Sequence, residues 1–481
     1  MAPTPCKYKA RVSPEPEWFL HESLLNLIYQ EITVRQLLAS KSSSSALYNS
    51  GHSFDQLKCH PNTRVAVLKK LMDWITSQDK ETKNKMILWL KGPAGSGKSV
   101  IARTLSEQCD TEGRLLASFF FRRDDDSRNG SEKFIATIAY QVHRSHPTIQ
   151  QSIASVIDND PMIFMQALAI QLETLIVNPL RSLIDLGYVQ SPTSRRLIVI
   201  DGLDECVDRR QQQDILNTIF QCITRLSCPI LYLIASRPER QITYFFGSKA
   251  NQRLHSEIVL DANYHPDKDI QTYLVDKFKH IQETHSQRSA LRNWPKPSVI
   301  TELVEKASGQ FIYASTVVKY VESLYHRPDH RLDIVRNLRP RTSDADMPFA
   351  ELDTLYTHIL STIEDIDKVL HIFAVQISDV PFKIANTDIG IDEICDFENG
   401  TVKLLLGNLA SLVELQPVNL GADDGECDVQ FMHASLIDFL LDATRSKTFY
   451  IDRKWALGKV VEDCFRYISR EPFLTLFACY A

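Results

Sequence analysis

The chain of 481 residues has ten cysteines but no C-x-x-C pair and no Cys/His ladder of zinc-ligand spacing. That excludes a zinc-finger or zinc-ribbon framework. Cys206, Cys222 and Cys228 stand in or beside apolar segments and read as small buried side chains. Scattered, unpatterned thiols fit a reducing, cytoplasmic compartment. The first 45 residues lack a basic start followed by an unbroken apolar stretch, so no secretory leader is expected. The most apolar long window, "PMIFMQALAIQLETLIVNPL", is interrupted by Gln166, Gln171, Glu173 and Asn178. It reads as a buried or amphipathic helix, and no membrane span is expected. There is no basic excess either. Net charge is −6, and pairs such as Arg195–Arg196 and Arg209–Arg210 are short. A nucleic-acid track is therefore not expected. An N-K-x-D base-reading motif of GTPases is missing, as is any internal repeat of solenoid period.

What is present is the balance of a soluble globular protein, 44% apolar and 24% charged. The length predicts about two to four domains. Residues 21–40, "HESLLNLIYQEITVRQLLAS", have helical spacing after a loop, "SPEPEW". "SKSSSSALYNSG" reads as a linker, and "HPNTRVAVLKKLMDWI" as a further amphipathic helix. From 86 to 260 the pattern alternates. The apolar runs "MILWL", "LLASFFF", "RLIVID", "PILYLIAS" and "SEIVLD" predict strands, with helices at 98–109, 131–145, 161–187 and 210–226 between them. Buried strands alternating with helices predict an α/β fold, a parallel sheet with helices on both faces. Beyond 265 helices dominate, in "HPDKDIQTYLVDKFKHIQ", "SVITELVEKASGQFIYASTVVKYVESLY" and "RLDIVRNL". Short β-like pieces join them from 350 to 445.

The stretch "WLKGPAGSGKSV" contains a full G-x-x-x-x-G-K-S/T pattern between a predicted strand and a predicted helix. A loop that wraps a polyphosphate must turn several backbone N–H groups inward, which asks for glycine dihedrals at Gly95 and Gly97. The following helix adds its positive end. Lys98 supplies a point charge for the β and γ oxygens, and Ser99 a hydroxyl for Mg²⁺. Gly92, Pro93, Ala94, Gly95, Ser96, Gly97, Lys98, Ser99 and Val100 are thus the candidate nucleotide contacts.

"RLIVIDGLDECVD" is the expected partner strand. Asp201 at its carboxyl end is suited to hold Mg²⁺ through water. Asp204 and Glu205 follow, one of them suited to activate a water; which one is left open, with Glu205 preferred for the water and Asp204 for the metal shell. A third buried strand ends in Ser236 and Arg237, and an arginine there can sense a γ-phosphate. Arg122 and Arg123 are a weaker case, since "DDD" at 124–126 offers them partners.

In that order "GPAGSGKS", "LIVIDGLDEC" and "LIASRPE" resemble the NACHT family of signal-transducing P-loop ATPases, of the STAND class, with the D-G-L-D-E acids at 201, 204 and 205. "CHPNTRVAVLKKLMDWI", "FFFRRDD" and "QLETLIVNPL" have the flavour of fungal NOD-like receptors. The resemblance implies a nucleotide-binding domain at 51–262, a small helical domain at 263–345 and a winged-helix domain at 346–448. An N-terminal helical segment and linker at 1–50 and a further helical region from 449–481 flank them. "FMHASLIDFLLD" resembles the winged-helix segment whose histidine contacts the β-phosphate of ADP and locks a closed form; here that is His433. Thr63 and Arg64, by the same likeness, lie near the base. The Gly-x-Pro of some relatives is replaced by Gly309-Gln310-Phe311, so no adenine-packing proline is implied.

The resemblance implies an ATP/ADP-controlled switch with slow hydrolysis, opening and homo-oligomerisation, an effector partner, and signalling of the innate-immunity or incompatibility kind. The alternative is a catalytic P-loop enzyme, a small-molecule kinase or a motor. No arginine-rich lid and no basic track favour it. A scaffold with a structural nucleotide site is opposed by the intact Lys98, Ser99, Asp201 and Glu205.

Overall fold

The computed structural model describes residues 32–51, 58–185, 195–225, 230–261, 264–288, 291–324, 326–340, 349–378, 383–384, 387–388, 390–417 and 427–470. The loop "SPEPEW", the first half of the helix read over 21–40, Cys228 and the terminal "FLTLFACYA" lie outside them. The chain divides into two compact units. One holds 1–44, 132–190 and 217–228, and the other holds 45–131, 191–216 and 229–481.

In the first unit the helix Phe134–His143 buries nearly all of its apolar residues. Pro147–Asn159 follows, a helix the alternation analysis passed over, although Ile149, Ile153 and Ile157 recur every fourth residue and are buried. The single helix expected over 161–187 is broken. A 3₁₀ turn at Ile163–Met165 leads to Leu168–Leu172, a π turn at Glu173–Val177 and a last helix, Asn178–Asp185. Two local causes are visible. The Gln171 side chain donates to the Gln166 carbonyl at 2.7 Å, occupying the backbone where the first break falls. Pro179 has no N–H for an i−4 bond and its ring crowds that carbonyl, which a widened turn relieves. Among the described residues no helix is long and apolar enough to cross a membrane.

The second unit contains the sheet. Its strands are β1 (Ile87–Lys91), β2 (Leu115–Phe120), β3 (Arg196–Asp201), β4 (Ile230–Ser236) and β5 (His255–Val259), the five expected from the apolar runs. The order is β2-β3-β4-β1-β5 and every pairing is parallel. Strand alternation divides the side chains between two faces. Leu88, Leu90, Val199, Leu231 and Leu233 pack with the helices Val65–Ile75 and Lys98–Thr111. On the other face Trp89 stacks on Phe246 of the helix Arg240–Gly247, ring centroids 4.5 Å apart. Both faces are thus covered, which is why the central strands are apolar throughout.

β1 and β3 are not neighbours, because β4 runs between them. Ala235 of β4 pairs with Leu90 on one side and Asp201 on the other, so the ends of β1 and β3 stand level. The loops after β1, β3 and β4 therefore leave the sheet at one edge, the carboxyl edge where open α/β sheets bind ligands. The serine-rich stretch read as a linker is held down near that edge. Ser45 Oγ bonds Asp125 at 3.0 Å, and the Tyr48 N–H donates to Ser118 of β2 at 3.0 Å.

The rest of this unit is helical. Pro266–Thr284, Pro297–Ala307, Phe311–Val321 and Pro328–Asn337 come first. The run "ASGQF" is where a continuous helical pattern stops, with Ser308 and Gly309 both at positive φ. Then Ala350–Ser361, Ile366–Ser378 and Thr401–Leu406 precede an antiparallel hairpin, β8 (Val413–Pro417) with β9 (Cys427–Phe431), after the two-residue ladder of β6 (Lys383–Ile384) and β7 (Thr387–Asp388). These helices followed by a hairpin make a winged helix. One continuous apolar core runs through both helical parts, from Ile270 to Val460. The helix Ala434–Leu440 leaves the hairpin directly, and Arg453–Arg470 packs on Ile366–Ser378.

Candidate functional site

The loop after β1 has Gly95 at φ 72° and Gly97 at φ 88°, conformations that side chains disfavour. Gly97 caps the helix Lys98–Thr111 without any side-chain hydrogen bond, so the helix start is not closed by its own sequence. Lys98 is buried and its ammonium donates to the carbonyls of Gly92 and Pro93, each at 2.9 Å. Burial pulls the Lys98 pKa down; Asp204 opposes this and Arg237 adds to it.

The edge of the sheet completes the cleft. Ala94, Gly95, Gly97, Lys98, Ser99 and Val100 line it from the phosphate loop. Asp201, Asp204 and Glu205 line it from the end of β3, and Arg237 from the end of β4. Asp201 is buried, with Ser99 hydrogen-bonding its carboxyl group. One of its oxygens, Oδ1, has no hydrogen-bond partner among the described residues. Burial raises its pKa to about 6, against the pull of Ser99 and Lys98. A buried, half-satisfied carboxylate beside a serine hydroxyl is a donor set that fits a hard divalent cation.

Asp204 and Glu205 differ in their partners. Asp204 is committed to Arg237: its Oδ1 accepts the Arg237 backbone N–H at 2.9 Å, and its Oδ2 faces Nε at 3.2 Å. Among the described residues Glu205 makes no ion pair of this kind. Burial, then the Asp204 charge, push its pKa up to about 7, with Arg237 pulling the other way. Two adjacent acids thus have separate environments, one fixed and one available to exchange a proton near neutral pH.

The winged helix supplies the opposite wall through Phe431, Met432, His433, Ala434, Ile437 and Asp438. His433 caps the helix Ala434–Leu440. Its Nδ1 accepts the Ser435 N–H at 3.0 Å. Accepting there leaves the proton of the neutral ring on Nε2. Burial, then Arg237 and Lys98, push its pKa down to about 3, so the ring is neutral at physiological pH.

Other sequence-derived candidates lie behind the cleft. Gly92, Pro93 and Ser96 belong to the loop but do not line the cavity, although the first two carbonyls hold Lys98. Thr63 spends its hydroxyl on the His60 carbonyl at 2.7 Å. Arg64, at φ 58°, donates from Nη2 to the Ser96 carbonyl at 2.7 Å. Its backbone N–H bonds Asp269 at 2.9 Å, and its guanidinium stacks on Phe311, 4.5 Å from the centroid. Neither Thr63 nor Arg64 lines the cavity.

The helix Phe311–Val321 reaches the same loop. A Cβ on Gly95 would lie 2.2 Å from Ile312 Cγ2. Gly95→Ala should therefore push that helix off the loop. A loss of roughly 1–3 kcal/mol is expected, read as a fall in thermal midpoint. A variant as stable as the wild type would show that this contact yields freely.

The structure also brings to the cleft residues that the motifs ranked low or passed over. Arg122 pairs with Asp124 at 2.6 Å, as "DDD" suggested, yet also donates to the Phe431 carbonyl at 3.3 Å. Arg103 and Arg128 are lining residues too. Asp438 receives Arg237 Nη1 at 2.5 Å and faces Arg123 at 3.9 Å. The signal for Asp438 was its place in "FMHASLIDF", an acid five residues after the histidine. Another polar cluster, His371, Cys395 and Asp463, lies elsewhere in this unit. There His371 Nε2 meets Asp463 at 2.5 Å and Arg466 faces the other oxygen at 3.2 Å, while burial raises the Cys395 thiol to about 12. The His371–Asp463 hydrogen bond ties Ile366–Ser378 to Arg453–Arg470.

Residues 66–237 match the family model described as Nephrocystin 3, N-terminal. The match spans a little over a third of the chain and contains the phosphate loop, the three acids and Arg237. No curated protein matches the chain. Among solved structures it is similar to the Walker-type ATPase PABY2304 of Pyrococcus abyssi, at 14% identity over 79% of this chain and 97% of that one, TM-score 0.37. It is similar to the ORC1 protein of Aeropyrum pernix in complex with DNA, at 14% identity over 86% and 96%, TM-score 0.34. It is also similar to Cdc6p from Pyrobaculum aerophilum, at 12% identity over 85% and 96%, TM-score 0.36. Likenesses this distant carry no argument about what the chain binds.

Proposed function

We propose that this chain is an ATP/ADP-controlled switch built on a P-loop NTPase module of the NACHT, STAND-class kind that takes in the matched residues 66–237. ADP favours a closed form, ATP an open one that self-associates, and slow hydrolysis resets it. One observation carries the reading. The phosphate loop, the acids after β3 and His433 of the winged helix line a single cleft. A ligand held there touches two parts of the chain at once, so its identity can bias how they sit.

Each residue has a role in this proposal. The amides of the loop from Gly92 to Val100 and the start of the Lys98 helix receive the phosphates, and Lys98 neutralises them. Ser99 and Asp201 would hold Mg²⁺, which would offset the negative charge of the polyphosphate. Glu205 orients and deprotonates the attacking water, with Asp204 fixing Arg237 beside it. Arg237 detects the γ-phosphate. Thr63 and Arg64 serve the base side, Arg64 through its hold on Ser96. His433, with its proton on Nε2, donates to the β-phosphate of ADP. The proposed boundaries are 51–262 for the nucleotide domain, 263–345 for the helical domain and 346–448 for the winged helix. The segments 1–50 and 449–481 flank them. A homo-oligomer and an effector protein are the proposed partners, in signalling related to innate immunity or incompatibility.

The test is the nucleotide carried through purification, with particle size measured in ADP and in a non-hydrolysable ATP analogue. ADP in the purified protein and larger particles with the analogue support the switch. Fast turnover with a small-molecule acceptor, or a preference for GTP, would refute it. His433→Ala is expected to release ADP about ten times faster, the loss of one hydrogen bond to a charged group. An unchanged off-rate in stopped flow removes His433 from the phosphate.

A further inference from the structure

Arg237 is shared between two carboxylates. Asp204 takes its backbone N–H at 2.9 Å and its Nε at 3.2 Å, and Asp438 takes its Nη1 at 2.5 Å. The two acids are anchored differently. Asp204 sits in the loop after β3, part of the sheet edge itself, and the backbone bond from Arg237 holds it there. Asp438 rides on the helix Ala434–Leu440 and reaches the sheet edge through side chains, Arg237 and, at 3.9 Å, Arg123. Both acids line the cleft with Arg237.

A phosphate drawn to this guanidinium would meet the Asp438 carboxylate already in place. Two anions at one cation repel each other in a site sheltered from water. Asp204 cannot yield without breaking its bond to the Arg237 backbone. Asp438 can, by movement of its helix.

We infer that Asp438 and the terminal phosphate of a nucleoside triphosphate compete for Arg237, which makes Asp438 the residue that sets the preference for diphosphate over triphosphate. The inference rests on the switch reading above and gives that reading its trigger. A diphosphate held by Lys98 and His433 leaves the Arg237–Asp438 contact intact. A triphosphate must displace Asp438, and with it the helix bearing His433. The same step that admits the third phosphate thereby withdraws the histidine from the second. Arg123 and Arg122, on Asp438 and the Phe431 carbonyl, are the contacts that then remain to be broken.

The experiment is a titration of the full chain, stripped of nucleotide, with ADP and with a non-hydrolysable ATP analogue. Asp438→Asn keeps the shape and removes the charge. Its affinity for the ATP analogue is expected to rise about tenfold, or about 1.4 kcal/mol, with ADP affinity within about twofold of wild type. Asp438→Glu, which restores the carboxylate, should return the ratio toward wild type. A purely structural role would shift both affinities together and leave their ratio alone. Should Asp438→Asn fail to fold, Asp438→Ser reads the same ratio. An unchanged ratio in a folded, nucleotide-binding variant overturns the competition and leaves the switch standing. A wild-type chain that binds neither nucleotide overturns both.

Discussion

Lys98→Ala is expected to weaken ADP and ATP binding by at least about a hundredfold. The ammonium lies at the phosphate loop, held by the carbonyls of Gly92 and Pro93 at 2.9 Å. Asp204, Asp201 and Glu205 act on it from the facing wall, and burial acts against its charge. Without it, a polyphosphate would enter beside three carboxylates with no lysine to offset them. Charge-assisted hydrogen bonds contribute about 1.5–3 kcal/mol each, and a lysine that serves two phosphates makes more than one. The loss should appear in a fluorescent-nucleotide titration as the disappearance of saturable binding at micromolar ligand.

The same substitution leaves the Gly92 and Pro93 carbonyls without this donor, the first of them buried, so a general loss of structure must be separated from loss of the ligand. The thermal midpoint without nucleotide does this. A small fall in midpoint with binding abolished assigns the effect to the phosphates. Binding within a few-fold of wild type in a folded Lys98→Ala protein would remove Lys98 from the site. Lys98→Arg should also bind poorly, because a planar guanidinium does not fit the space of a compact ammonium.

The sheet was legible in the sequence because burial on both faces leaves strands with almost no polar residues. "RLIVID" and "PILYLIAS" could hardly be anything else. Strand order was not legible: nothing local in β4 says that it lies between β1 and β3. The helix over 161–187 was misread as continuous because apolar periodicity survives a π turn and a 3₁₀ turn that Pro179 and Gln171 impose. The phosphate loop and its acids were legible because their chemistry fixes both residue type and spacing. His433 was not, from its own neighbourhood; it needed the family likeness, since only the tertiary fold brings it to Lys98 and Arg237. Asp438 escaped, and Arg122 stood only as a weaker candidate, for a related reason. Each has a plausible local partner or a plausible solvent face, and only the meeting of β2, β4 and the winged helix gives them a common place.

Hydrolysis, if Glu205 is the base, should rise about tenfold between about pH 6 and pH 8. Burial and the neighbouring Asp204 charge place the Glu205 pKa at about 7. A base works in its deprotonated form, so the active fraction grows as pH climbs through that value, from about a tenth to about nine tenths. Asp204 is a poor candidate for the same task, because both of its oxygens are engaged by Arg237. Glu205→Gln keeps the shape and removes the titrating group. Its turnover should fall by about 10²–10⁴-fold, with nucleotide affinity within a few-fold of wild type and a flat profile over the same pH range. Malachite-green phosphate release under saturating ATP measures both. The polyphosphate itself shifts the midpoint upward and a bound cation shifts it downward, so the diagnostic feature is the slope and its disappearance in the variant, not the midpoint. A Glu205→Gln protein that hydrolyses ATP at the wild-type rate with the same pH slope would assign the proton transfer to another group. Asp201, with its pKa raised to about 6, is the next carboxylate in the cleft to test.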